Sequence, residues 1–358
     1  MCKKCDCWGA LAIEDKKDIK SMTSQEISED FKQLGFPSYR ASQVYLWICR
    51  GAESFENMTN IPKDMRQKLE EMYYIPKASI ACKRVSHDGT IKYLYKLSDG
   101  KFVESVLMKY KHGYSMCIST QVGCKMGCSF CVTGQGGFER DLHASEMLLQ
   151  IETAQKDSNI RISNVVLMGM GEPLDNYDNV MRFLDLVSDP QGLNIGMRHI
   201  SLSTCGLVDK IYKLADKNLQ ITLSVSLHAP NDNLRSSIMK INKKWNIEKL
   251  IEACKYYISK TNRRISFEYA MVENVTDTPE CAMELSALLK GMLCHVNLIP
   301  LNESENKKLS KSDVNRIYFF KNMLEKRGIN ATIRRTLGED IEAACGQLRS
   351  KKRTEMED

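Results

Sequence analysis

No stretch of the chain approaches the 18 or more consecutive apolar residues of a membrane-crossing helix, so no membrane partner is expected. The first twenty residues, "MCKKCDCWGALAIEDKKDIK", carry charges where a secretion signal holds its apolar core, and the expected location is the reducing cytoplasm. A large charge excess is lacking too: a formal +6 over 358 residues permits an RNA or DNA partner without requiring one. Nor does a chain of this length need disulfide staples, because it can bury roughly three quarters of its unfolded surface. It nevertheless carries 14 cysteines. In that compartment they are expected to be catalytic, metal-bound or simply buried rather than paired as disulfides.

One absence is local. "CKMGCSFC" (124–131) spaces Cys124, Cys128 and Cys131 with three and then two residues between them, and the window has no fourth cysteine. Structural zinc wants four protein ligands, and Cys117 lies seven residues upstream, beyond "ISTQVG". Three thiolates on a loop after a β-strand suit a [4Fe-4S] cluster with one iron left open to a substrate. On these residues alone, zinc stands beside the cluster as an alternative.

The chain divides by texture. Residues 1–20 form a cysteine-containing tail and 21–78 a helical accessory domain of three helices. The first helix starts on a cap-like Ser24 and stops at Gly35, the second stops at Gly51, and Pro62 opens the third. Residues 79–111 read as a β-hairpin extension turning at Ser98-Asp99-Gly100. From 112 to 348 short β-rich runs alternate with helical stretches: "YSMCIST", "NVVLMGMG", "HISLSTCG", "ITLSVSLHA", "RISFEYAMV", "HVNLIPLN" and "NATIRRTLG". This is the pattern of repeated βα units, an α/β fold whose polar strand ends mark the C-terminal edge where such barrels place their chemistry. Residues 349–358 read as a charged tail that is expected to be mobile.

The CxxxCxxC loop after the first barrel strand resembles the radical S-adenosylmethionine (SAM) superfamily. More of the chain, from about residue 22 to 348, is similar to one branch of it. The match runs through "MCISTQVGCKMGCSFCVTGQGGFERDL", "VVLMGMGEPLDNYDNV", "ISLSTCG", "LSVSLHAPND", "NLIPLNE" and "EDIEAACGQL". These segments resemble the bacterial dual-specificity RNA methyltransferases that make 2-methyladenosine in 23S rRNA and tRNA. A sister enzyme that methylates carbon 8 of the same rRNA adenine, conferring antibiotic resistance, shares every cysteine role and is the nearest alternative. "GMGEPLDN" fits the carbon-2 group better. A non-catalytic, zinc-stabilised RNA-binding module is the alternative from another class.

The resemblance implies a partial (βα)6-type TIM barrel with an N-terminal helical domain, a [4Fe-4S] cluster on Cys124, Cys128 and Cys131, and two SAM molecules per turnover. One serves as methyl donor and the other as radical source. The implied partners are 23S rRNA, tRNA and an electron donor such as flavodoxin or ferredoxin. Carbon 2 of adenine is electron-poor and the SAM methyl is itself an electrophile, so a thiolate must carry the methyl first. By resemblance the carrier is Cys345, Cys117 releases the RNA through a transient disulfide with Cys345, and Glu104 accepts the ring proton. Gly171, Glu172, Ser203, Ser226, Leu227, His228 and Asn302 are implied to line the SAM pocket. In "NVVLMGMGE" the small Gly171 lets a cofactor approach the backbone, while the Glu172 carboxylate can bind an amino group.

Read without the family, each of these residues has a plainer account. Cys117 is a buried strand cysteine, Cys345 lies in a turn beside Gly346, and His228 is a satisfied structural histidine. Alternation places Glu104 with Phe102, Val106 and Met108, on either a solvent face or a core face where burial would suit it to proton transfer. Arg263, Arg264, Arg334 and Arg335 are of a type that neutralises RNA phosphates. Cys2, Cys5 and Cys7 lie outside the family pattern, Cys205 reads as packing near the pocket, and Cys49, Cys82, Cys254, Cys281 and Cys294 read as core or incidental.

Overall fold

The structure, a computed structural model, describes residues 16–111, 113–301 and 310–343. Cys2, Cys5, Cys7, Asn302, Cys345 and the charged tail lie outside them. Among the described residues no helix is long and apolar enough to cross a membrane.

Helices α1 (Ser24–Gln33), α2 (Ser38–Cys49) and α3 (Lys63–Met72) close around their own core of Ile27, Phe31, Val44 and Leu69. The cap of α1 falls one residue before the expected Ser24. The Thr23 hydroxyl accepts from the Glu26 N–H, and the Glu26 carboxylate accepts from the Thr23 N–H, so the reciprocal pair T-S-Q-E sets the start. Gly35 and Gly51, both left-handed, follow the ends of α1 and α2. The unit is fastened to the rest of the molecule by Arg182–Glu26 (2.6 Å) and by the buried Lys20 on Glu152 (2.7 Å).

Ten strands form one sheet that keeps chain order from edge to edge. They are β1 (Ala78–Val85), β2 (Ile91–Leu97), β3 (Phe102–Tyr110), β4 (Gly113–Cys117), β5 (Ile162–Leu167), β6 (Ile200–Thr204), β7 (Thr222–Ser226), β8 (Ile265–Met271), β9 (Cys294–Pro300) and β10 (Ala331–Ile333). From β4 to β10 all pairings are parallel, and each of the seven runs marked in the sequence supplies one strand. Helices intervene because a parallel return needs a crossover. The hairpin β2–β3, with Gly100 at φ 83°, joins β4 edge to edge, so the antiparallel strands continue the barrel sheet.

This continuity decides the environment of Glu104. Strand β3 is covered on both faces, with Val103, Glu104, Ser105, Val106, Leu107 and Met108 all buried. The solvent-face account of Glu104 is therefore overturned. Arg263 Nε donates to the Ile221 carbonyl at the beginning of β7, which places it and Arg264 at the strand edge opposite the chemistry. The final described segment is tied to the β1–β2 loop. Ser86 Oγ and the His87 N–H donate to the Asp340 carboxylate, the Gly338 N–H donates to Asp88 (2.9 Å), and Lys92 Nζ donates to the Glu342 carbonyl (3.1 Å).

Candidate active site

The ends of β4 through β9 open into one cavity lined by Cys117, Cys124, Cys128, Cys131, Gly171, Glu172, Ser203, Ser226 and His228. Nine residues singled out from the sequence thus meet in one place although they come from five separate stretches of chain. Leu227 differs: its side chain is wholly buried in the core, and its N–H donates to the Glu268 carbonyl. Leu301 and Ala343, the last described residues before Asn302 and Cys345, line the cavity.

The cysteine loop is held from both sides. The Cys124 N–H donates to Gly137 O (2.8 Å) and the Ser129 N–H to Ile238 O (3.0 Å). The two glycines of "GMGE" bring the next strand's end against the chain leading into this loop. A Cβ on Gly169 would stand 2.6 Å from Ile118 O, and one on Gly171 (φ 100°) would stand 2.7 Å from Gln121 Cβ. Gly171 is thus required first by Gln121. This packing adds to the backbone approach read from the sequence. Gln121 in turn accepts from the Glu172 N–H (2.9 Å) and donates to Asp141 and Asp175.

Burial pushes the Cys124 and Cys128 thiols up to about 12, the neighbouring cysteines and Glu172 adding to the effect. These thiols are protonated at neutral pH until a metal displaces the protons. Burial likewise raises Glu172, although its oxygens accept from the Leu174 (3.1 Å) and Cys205 (2.7 Å) N–H groups. A carboxylate has further lone pairs, so room remains for a ligand's ammonium. His228 sits in the left-handed region at φ 59°, and burial, then the Arg235 charge, lowers its pKa to about 3. Its Nδ1 accepts from the Ala270 N–H (3.1 Å), so the neutral ring carries its proton on Nε2.

Beside the cavity, Cys117 pairs in register with Val106, and Val106 with Lys92. Cross-strand partners share a face, and Glu104 lies two residues along from Val106, so Cys117, Glu104 and Lys92 all face the same way. Lys92 Nζ stands 3.3 Å from Glu104 Oε1, both groups being buried.

Several residues were not legible as site residues. Glu268, a charge inside the apolar run of β8, lines the cavity and accepts from Asn297 (2.9 Å) and Ser266 (3.1 Å). Arg334, read from the sequence only as an arginine of the phosphate-neutralising type, turns into the cavity beside Glu268 at 3.8 Å. Lys92 and the fully buried Arg235 gave no local signal beyond an isolated charge. Cys205 is buried as expected, as are Cys254, Cys281 and Cys294, while Cys49 and Cys82 are half-buried.

The donor set fits a thiolate-held cluster. Among the described residues no three His, Cys, Asp or Glu side chains converge so as to hold a single metal ion, yet three soft thiols face one cavity. A cubane spreads its thiolates over three irons, whereas one zinc gathers its ligands around a point.

Barrel and cysteine loop together define a radical SAM enzyme, and the model of the radical SAM superfamily matches residues 118–285. A second family model, the ribosomal RNA large subunit methyltransferase N-terminal domain, matches residues 17–75. The chain belongs to the dual-specificity RNA methyltransferase RlmN family. It is 56% identical over 312 residues to a probable member from Clostridium tetani, covering 87% of this chain and 89% of that one. With a probable member from a Thermoanaerobacter species it shares 52% identity over 336 residues, covering 93% and 98%. A crystal structure of a radical SAM methyltransferase from Sphaerobacter thermophilus is 42% identical and superposes with a TM-score of 0.88, covering 94% of this chain and all of that one.

Proposed function

We propose that this enzyme methylates carbon 2 of adenine in 23S rRNA and tRNA, in the cytoplasm, drawing electrons from a flavodoxin or ferredoxin. The cluster is held by Cys124, Cys128 and Cys131. Glu172, Ser203, Ser226, His228 and Asn302 receive SAM, while Gly171 and Leu227 shape the strand ends around it. When bound, these groups supply both the methyl and the one-electron chemistry that activates it.

The observation that carries this reading is the meeting of a three-thiol loop with a separate thiol, Cys117, in one cavity, with a buried carboxylate on the same sheet face. Cys345 carries the methyl group to the base because adenine carbon 2 has no nucleophilic character of its own. Glu104 takes the ring proton. The Cys117 thiolate then attacks the Cys345 sulfur: the sulfur–methylene bond breaks, its electron pair stays on the ring-conjugated carbon, which takes up a proton to become the methyl, and the two sulfurs pair as a disulfide that a dithiol reductant reopens before the next turnover. The Lys92 ammonium stands 3.3 Å from the Glu104 carboxylate.

Anaerobic turnover with a 23S rRNA fragment, followed by nucleoside mass spectrometry, tests the reading: 2-methyladenosine is expected. Appearance of 8-methyladenosine instead would move the enzyme to the sister branch. Cys345→Ala is expected to abolish methylation while leaving the cluster absorbance near 400 nm, typical of iron-sulfur centres, unchanged.

Lys92→Met tests the buried pair. Removing the cation that faces a buried carboxylate should cost about 3 kcal/mol of stability, read by denaturant unfolding. It also unties the Glu342 carbonyl, so hydrogen exchange should speed up at residues 338–343.

A further inference from the structure

Arg235 is the largest fully buried side chain in the described structure, with no exposed surface at all. Its partners are all neutral. The guanidinium donates to the carbonyls of Cys205 (2.7 Å), Ser226 (3.1 Å) and Leu227 (3.1 Å) and to the amide oxygen of Asn242 (2.8 Å). Among the described residues no carboxylate forms an ion pair with it: Asp232, whose charge acts on it, is bonded instead to Asn242 Nδ2 (2.9 Å), and burial lowers the arginine's pKa. A guanidinium nevertheless remains charged at neutral pH. A buried cation with no anion in direct contact is costly unless further opposite charge completes the site.

The short helix that carries Arg235, Asp232–Ile238, is docked on the cysteine loop. The Ser129 N–H and hydroxyl both point at the Ile238 carbonyl, at 3.0 and 3.4 Å, and Ser129 follows Cys128 directly. Two of the carbonyl partners of Arg235, on Cys205 and Ser226, belong to residues lining the same cavity.

We infer that Arg235 is the resident counter-charge of the iron-sulfur cluster, a positioning residue that acts through its fixed charge at the strand ends to make the cluster easier to reduce. This rests on Cys124, Cys128 and Cys131 holding the cluster. One-electron reduction adds a negative charge to an already anionic centre, and a fixed cation in a poorly polarisable interior stabilises the reduced form more than the oxidised one. The hydrogen bonds to two successive strand ends hold that charge at a fixed place and tie β6 to β7.

The test is an anaerobic redox titration of the reconstituted protein, followed by visible absorbance and electron paramagnetic resonance. Arg235→Met and Arg235→Lys are compared with the unaltered enzyme, with thermal melts confirming that each is folded. In Arg235→Met the reduced-to-oxidised ratio at a fixed potential should fall about tenfold, a shift of about 59 mV for one electron. Arg235→Lys keeps the charge but not the fork and should stay close to the unaltered enzyme. An unchanged potential in Arg235→Met, or an equal shift in both variants, overturns the inference. If Arg235→Met assembles no cluster, Arg235→Lys decides alone: an unshifted potential supports the charge role, and a tenfold shift overturns it. Iron and sulfide analysis of the unaltered protein separates the two levels. If it binds no cluster under reconstitution, the assignment of the three ligands fails, and the inference fails with it.

Discussion

Cys117→Ala should leave the RNA substrate joined to the enzyme by a covalent bond that survives denaturing electrophoresis and disappears on ribonuclease digestion. The expectation follows from the different duties the proposed function gives to two thiols. In that reading the carrier thiol reaches the base through its methylene carbon, and only a second sulfur can take it off again. Cys117 closes β4 at the cavity wall and is buried, with Val106 opposite. Alanine there removes one sulfur from a site that keeps its cluster loop, its glycines and its carboxylate, so the steps before release should run. Multiple turnover should cease, and the trapped species should contain one RNA per chain. Normal turnover in this variant would show that Cys117 is only a packed strand cysteine.

Gly171→Ala should be among the most damaging single-methyl changes in the described structure. Two penalties coincide at this position. At φ 100° the backbone lies in a region that side chains rarely enter, and the new Cβ would stand 2.7–2.8 Å from Gln121, including its backbone nitrogen. Relief requires movement of Gln121, three residues before Cys124, and Gln121 also fixes the Glu172 N–H. A loss of about 3 kcal/mol in unfolding free energy is expected. Displacing the cysteine loop and the carboxylate together should slow SAM cleavage by about 100-fold in protein that is still folded. Iron content, SAM cleavage and denaturant midpoints measured on one preparation would separate the two effects. Wild-type cleavage in a destabilised protein would show that the glycine serves the fold alone.

What the sequence disclosed depended on how far apart the interacting residues stand. The seven barrel strands were visible because each is a short apolar run bounded by Gly or polar residues, a local property. The cluster loop was visible because its three donors fall within eight residues. The three-helix unit was legible down to its breakers, although the reciprocal pair of Thr23 and Glu26 moved the first cap by one residue. Glu104 could not be placed, because its burial depends on β3 being covered from both sides by elements distant in sequence. Arg235 was opaque for the same reason: a charged residue in "NDNLRSS" has the signature of a solvated helix face, and only the docked position turns it inward. Lys92 alternates with tyrosines like any edge-strand lysine, and its meaning comes from residue 342.

The tether between the β1–β2 loop and the final segment has a consequence for how the protein comes into being. Asp88 and Asp340 find their partners across roughly 250 positions, so the loop near residue 88 leaves the ribosome long before the residues it must grip exist. Barrel strands can pair in the order of their synthesis because the sheet keeps chain order. The tether cannot. A nascent or truncated chain ending before residue 338 would possess the cluster loop and the strand-end pocket while lacking the segment that closes the site. An enzyme built to generate a radical therefore gains this active-site wall only after every strand of its barrel has been made.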